Sequence, residues 1–142
     1  IQKGDMVMSF DINAQWGPLV AKPVVATIIY KDKSVLRING ELLVTASHKF
    51  PRGDGKAIEA GDFKVGDILI TEDAGAVKIH SIERDYGVMD VYNIEVEGNH
   101  TYVANGIRTH NMILTGNGMR SAMEDGTAPM VKFKDDGGSI IN

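Results

Sequence analysis

The chain has 142 residues, 43% hydrophobic and 24% charged, which is one domain's worth of ordinary globular composition and enough to bury a core. Its formal net charge of -4, with no marked Lys/Arg run, argues against a nucleic-acid partner. No apolar stretch is long enough to span a membrane, no signal peptide is expected from Ile1, and the absence of cysteine excludes disulfides, thiolate metal sites and a cysteine nucleophile.

Short strands dominate the chain. Residues 6–10, 24–30, 34–38, 41–45, 68–70, 76–79, 91–96 and 101–104 are rich in β-branched residues or alternate in polarity. Asn39-Gly40 and Asn105-Gly106 fit tight primed turns, which need positive φ. Residues 56–63 allow one short helical turn at most. Past Gly106, the run Ile107-Arg108-Thr109-His110-Asn111 is β-like and ends in a His-Asn pair. Residues 112–121 read as a loop, 130–133 as a strand and 135–138 as a turn. A weak internal repeat sets Gly4-Asp5-Met6-Val7 beside Gly66-Asp67-Ile68-Leu69, and Asn39-Gly40 leading to Thr45 and His48 beside Glu97-Gly98 leading to His100. It predicts two related β-subunits about a pseudo-twofold axis.

Asparagine is suited to cutting its own backbone. Its amide nitrogen can attack its own carbonyl, closing a succinimide and freeing the next residue as an amine. The attack is intramolecular, so its entropy is prepaid. Nearby imidazoles supply proton transfer near neutral pH. Asn111 follows His110, with His100 upstream, so all three are candidates for this chemistry. Thr45 and His48 put a hydroxyl and an imidazole at the end of a strand. Taken singly, each histidine is more often structural than catalytic. His80 fits no motif, the methionines at 112, 119, 123 and 130 suit core filling, and no two histidines have ligand spacing on one predicted element, so neither metal nor other cofactor is expected.

The ordered set is more specific than its parts. Thr45-x-x-His48, the run Val91–Gly106 leading into His110-Asn111, and the Gly-Asp turns at 4–5 and 66–67 together resemble inteins and related Hint domains. That resemblance implies an all-β, horseshoe-like fold and an autocatalytic protein-splicing activity acting on the chain's own flanking (extein) polypeptide. It implies a monomer with no cofactor, nucleic acid or membrane, and a cytoplasmic parent. The opening block of such domains is similar to residues 122–142, which read on naturally from Asn142 into Ile1. The expected organisation is therefore a single Hint domain in rearranged order. Residues 1–111 are the intein's C-terminal part, 112–121 an insert between splice junctions, and 122–142 its N-terminal part.

The resemblance then assigns roles. Ser121-Ala122 and Asn111-Met112 are the two junctions. Ala122 stands at the position of the first nucleophile, and Met112 where a Cys, Ser or Thr is used; neither side chain can form an acyl intermediate. Thr45 and His48 hold and polarise the Ser121-Ala122 bond, with His48 protonating the departing nitrogen. His100 and His110 assist Asn111. Asn93 occupies a position where many inteins carry Asp, and it can orient but not act as a carboxylate base. Splicing is thus expected to be blocked, with slow cleavage after Asn111 remaining. Two other readings stay open: a naturally non-splicing, self-cleaving Hint domain with 112–142 as downstream polypeptide, and a catalytically dead β module that binds a partner.

Overall fold

The computed structural model describes residues 1–110 and the backbone of Val131–Lys132. The strands are β1 (Met6–Ser9), β2 (Val20–Ile38), β3 (Leu42–Val44), β4 (Lys49–Pro51), β5 (Ala57–Glu59), β6 (Ile68–Ile70), β7 (Ala76–Lys78), β8 (Ile82–Val96), β9 (Thr101–Ala104), β10 (Ile107–His110) and β11 (Val131–Lys132). A 3₁₀ turn at Ala60–Asp62 follows β5, so residues 57–62 split between a short strand and a single turn.

The frame is the long antiparallel ladder between β2 and β8. Residues 24–30 and 34–38, expected as two strands, form one 19-residue strand. The charged Lys31-Asp32-Lys33 segment is a bulge: the register slips between Tyr30 and Lys33, and Asp32 takes φ +54°. Asp90 holds the bulge by accepting from the Asp32 N–H at 3.1 Å and pairing with Lys31 at 3.5 Å. A bulge interrupts the polarity pattern without ending the strand.

β3 returns along β2 through the Asn39-Gly40 turn, whose φ values of +54° and +74° are those of the expected primed hairpin. Asn39 also braces the chain after β7, its Oδ1 accepting from the His80 N–H at 2.8 Å. β11 pairs on one side with β3 (Val131 opposite Val44) and on the other with β8 (Val131 opposite Tyr92). With β2 bonded to both β3 and β8, these strands close a ring. Buried Val24, Leu36, Ile38, Val44, Phe50, Phe63, Ile79, Ile94, Val96 and Tyr102 belong to the continuous apolar core.

The internal repeat is reproduced bond for bond. In the first Gly-Asp turn, the Gln2 N–H donates to the Asp5 carboxylate, Asp5 N–H to Gln2 O, Gly4 N–H to Val24 O and Val24 N–H to Asp5 O. In the second, Lys64 N–H donates to the Asp67 carboxylate, Asp67 N–H to Lys64 O, Gly66 N–H to Ile79 O and Ile79 N–H to Asp67 O. Each turn then feeds a short strand, β1 or β6, that pairs with the strand returning to the turn, β2 or β7. The turns are the matching corners of two pseudo-twofold-related β-subunits.

Gly66 sits at φ +104°, a region that an L side chain enters only at a cost. Gly66→Ala should lower urea-unfolding stability by about 1–2 kcal/mol. Gly87→Ala is the control: it lies inside β8, and a methyl there would meet Met89 at an ordinary 3.8 Å. It should be neutral or slightly stabilising; equal losses in both variants would contradict the assigned turn.

Candidate functional site

β10 is unusual in burying three consecutive polar side chains, Arg108, Thr109 and His110. Its hairpin with β9 turns at Asn105-Gly106, with φ +54° and +75°, and sets His110 opposite Thr101. His100 immediately precedes β9, so the hairpin brings His100 beside the strand end that leads to Asn111.

Arg108 fastens β10 from below. Its Nε donates to Thr71 O at 3.1 Å, Nη1 to Gln15 O at 3.1 Å and Nη2 to Glu72 O at 3.0 Å, while the guanidinium lies over the Phe10 ring. Burial pushes its pKa down, and Asp73 and Glu72 oppose that shift. Gln15 continues the brace: its amide donates to Lys56 O at 3.1 Å and accepts from the Gly53 N–H at 2.7 Å. Neither Arg108 nor Gln15 stands out in the sequence. Buried arginine reveals itself only through the carbonyls it satisfies.

Thr109 faces the other way. Its Oγ1 hydrogen-bonds His48 Nε2 and lies 3.3 Å from Lys49 O and 3.4 Å from His110 O. His48 is fully buried, edge-on to Phe50 at 4.9 Å. It is positioned by a tight turn, its N–H donating to Thr45 O at 3.2 Å, and its own carbonyl accepts from Ala60 N–H at 2.7 Å. The Thr45-x-x-His48 motif is therefore a compact turn whose two defining side chains are buried and whose His48 docks against β10.

His110 is 6% exposed, edge-on to Phe10. Phe10 is itself fixed by Thr101, whose hydroxyl donates to Phe10 O and accepts from the Phe10 N–H at 3.0 Å. That hydroxyl has only one proton, so Ser9 must donate to it in the 2.9 Å contact between them. Thr101 has no distinct signal in the sequence either, being only a Thr that follows a His.

Asn93 is fully buried on β8, its Oδ1 accepting from the Ile94 N–H at 3.0 Å. Its neighbour Tyr92 and Thr45's neighbour Val44 are both opposite Val131, so Thr45 and Asn93 each directly follow a residue that pairs with β11. Among the described residues, Asn93 Nδ2, His100 Nδ1 and His110 Nε2 are buried with no hydrogen-bond partner. Each such atom costs about 1–3 kcal/mol unless a polar group meets it. Asn111, Met112, Ser121 and Ala122 lie outside the described residues.

A family model, the pretoxin Hint domain, matches residues 1–117. The chain belongs to that family. Solved Hint structures agree. An intein-like domain from Clostridium thermocellum superposes with a TM-score of 0.66 at 28% identity, covering 78% of this chain and 84% of that one. The gp41-1 intein gives 0.63 at 29% identity, with 78% and 83% covered. A DnaB intein from Synechocystis, at 24% identity and a TM-score of 0.64 with 79% and 82% covered, shares the fold. No curated protein matches the chain. The expected all-β Hint fold and the membership of the Hint and intein group are thus established. Among the described residues of this Hint domain, no cluster of three or more metal-ligating side chains occurs, and no helix is long and apolar enough to cross a membrane.

Burial, and secondarily the Lys49 charge, lower the His110 pKa to about 4 from an ordinary 6.5. His110 is therefore neutral at pH 7 and can accept a proton. Between pH 6.5 and 4 the unfolded chain binds the proton that the folded Hint domain excludes, so His110 makes stability fall as pH falls through that window. The stability advantage of wild type over His110→Gln should shrink by roughly 3 kcal/mol between pH 7 and pH 4 in urea titrations. A difference that stays constant would contradict the neutral, buried imidazole.

Proposed function

We propose that this Hint domain is a protein-splicing domain whose parts run in rearranged order, arrested by Ala122 and Met112. Residues 1–111 act as the C-terminal part, 112–121 as the insert between junctions and 122–142 as the N-terminal part. The observation that carries the reading is β11: Val131, nine positions after Ala122, is bonded between β3 and β8 rather than hanging off the sheet. The repeat supports it too. Two Gly-Asp turns with the same hydrogen bonds stand at 4–5 and 66–67, and residues 122–142 followed in sequence by Ile1–Asp5 resemble an intein's opening block leading into its first Gly-Asp turn.

The chemistry then follows from the residues. With a thiol at position 122, Sγ attacks the Ser121 carbonyl, and the C–N bond to residue 122 breaks. Thr45 and His48 serve that step, His48 giving a proton to the departing nitrogen. A nucleophile at position 112 takes the acyl group. The Asn111 side-chain nitrogen then attacks its own carbonyl and releases residue 112 as an amine, to which the acyl group migrates. His110, neutral at pH 7, accepts a proton from the Asn111 amide, and His100 assists at the same bond. Asn93 orients through its amide. The unpartnered atoms on Asn93, His100 and His110 are suited to a peptide junction as their polar guest. In the chain as it stands, Ala122 and Met112 block both acyl steps, and Asn111 cyclisation is the chemistry that remains.

The match of the pretoxin family model through residue 117, across the Asn111-Met112 bond, favours a second reading. There the Hint domain cuts only after Asn111 and residues 112–142 are cargo.

Ala122→Cys combined with Met112→Cys separates the two. Splicing predicts release of residues 112–121 as a ring, one water lighter than the linear peptide by mass spectrometry, and loss of that product in His48→Ala. Cleavage after Asn111 with no ring from a folded double variant would favour the cargo reading and reject the rearranged one.

A further inference from the structure

Thr109 belongs to none of the recognised motif positions, yet it makes the hydrogen bond to the His48 ring described above. Both residues are buried, at 1% and 0% exposure, so water does not compete for the contact. We propose that Thr109 is a positioning residue that locks His48 in the tautomer protonated on Nε2. The argument is a count of protons. Thr109 Oγ1 contacts His48 Nε2, Lys49 O and His110 O. A hydroxyl has one proton to give and lone pairs to accept with, while the two carbonyls can only accept. If Thr109 donated to His48, both carbonyl contacts would set acceptor against acceptor. With its single proton Thr109 can serve one carbonyl, and the carbonyl contact and the His48 contact are satisfied together only when Thr109 donates to that carbonyl and His48 Nε2–H donates to Thr109.

The consequence lies at the other ring nitrogen. With its proton on Nε2, neutral His48 presents a lone pair at Nδ1, so at rest that atom is a base. It becomes an acid only after taking up a proton there. Thr109 directly precedes His110, so the residue that sets the His48 tautomer sits in the strand leading to Asn111. One hydroxyl thus couples the imidazole assigned to the Ser121-Ala122 junction to the strand that carries the other junction. This coupling rests on the splicing reading; the tautomer assignment does not.

Imidazole ¹⁵N spectra of the full chain at pH 7.5 test it. Wild type and Thr109→Ser should show His48 protonated on Nε2 and bare on Nδ1. Thr109→Val, which keeps the shape but not the hydroxyl, should lose that preference. A wild-type ring protonated on Nδ1, or a folded Thr109→Val with an unchanged ring pattern, would overturn the assignment, and the wild-type spectrum decides even if the valine variant does not fold. In an Ala122→Cys background, thiol-induced cleavage at residue 122 should slow by about tenfold in Thr109→Val, the worth of one hydrogen bond, and recover in Thr109→Ser. Cleavage unaffected by Thr109→Val would remove the coupling. Absence of cleavage in every variant would instead reject the splicing reading, leaving the spectra to judge the tautomer.

Discussion

Burying Arg108, Thr109 and His110 side by side in β10 is the constraint on which the rest of the molecule depends. A buried polar group is tolerated only when something meets it. Arg108 is met by carbonyls of Gln15, Thr71 and Glu72, which draws the loop after β1 and the β6–β7 corner onto one strand. Thr109 is met by His48, which fixes the Thr45-x-x-His48 turn against the same strand. His110 is walled by Phe10, and Phe10 in turn is held by Thr101. Three neighbouring side chains thus recruit both subunits, and the price is a neutral, desolvated histidine next to Asn111.

The pseudo-twofold frame explains how so small a chain achieves this. Each Gly-Asp corner spends one glycine at positive φ and one carboxylate to close a turn and start a short strand. The two short strands are then placed to receive β9 and β10. Thr101 on β9 bonds Ser9 and Phe10 at the end of β1, and Ile107 on β10 bridges Thr71 after β6. The hairpin from Thr101 to His110 therefore spans the two subunits, and its strands connect His100 to the His48 turn.

Much of this was legible in the sequence where the signal is local. The primed turns at Asn39-Gly40 and Asn105-Gly106 demand positive φ, and few residues besides Asn and Gly supply it cheaply. The Gly-Asp repeat was visible because both the glycine and the carboxylate are structurally required. The continuity of β2 through Lys31-Asp32-Lys33 was hidden, since three charged residues resemble a loop until Asp90 is seen to hold the bulge. β4 and β5 were hidden because short strands containing Lys49, Pro51 and Glu59 carry little alternation. At the site, the histidine motifs were readable as an ordered set, whereas Thr109, Arg108, Gln15 and Thr101 act through partners far away in sequence. Such partners have no local signature.

β11 is bonded on both sides, to β3 and to β8, as the proposed rearranged order requires. Amide hydrogen exchange at Val131 and Lys132 tests this most directly. If residues 122–142 complete the Hint domain, these amides should exchange as slowly as those of Val44 and Tyr92, the strands on either side. Exchange at the rate of an unstructured peptide, while Val44 and Tyr92 remain protected, would contradict the account.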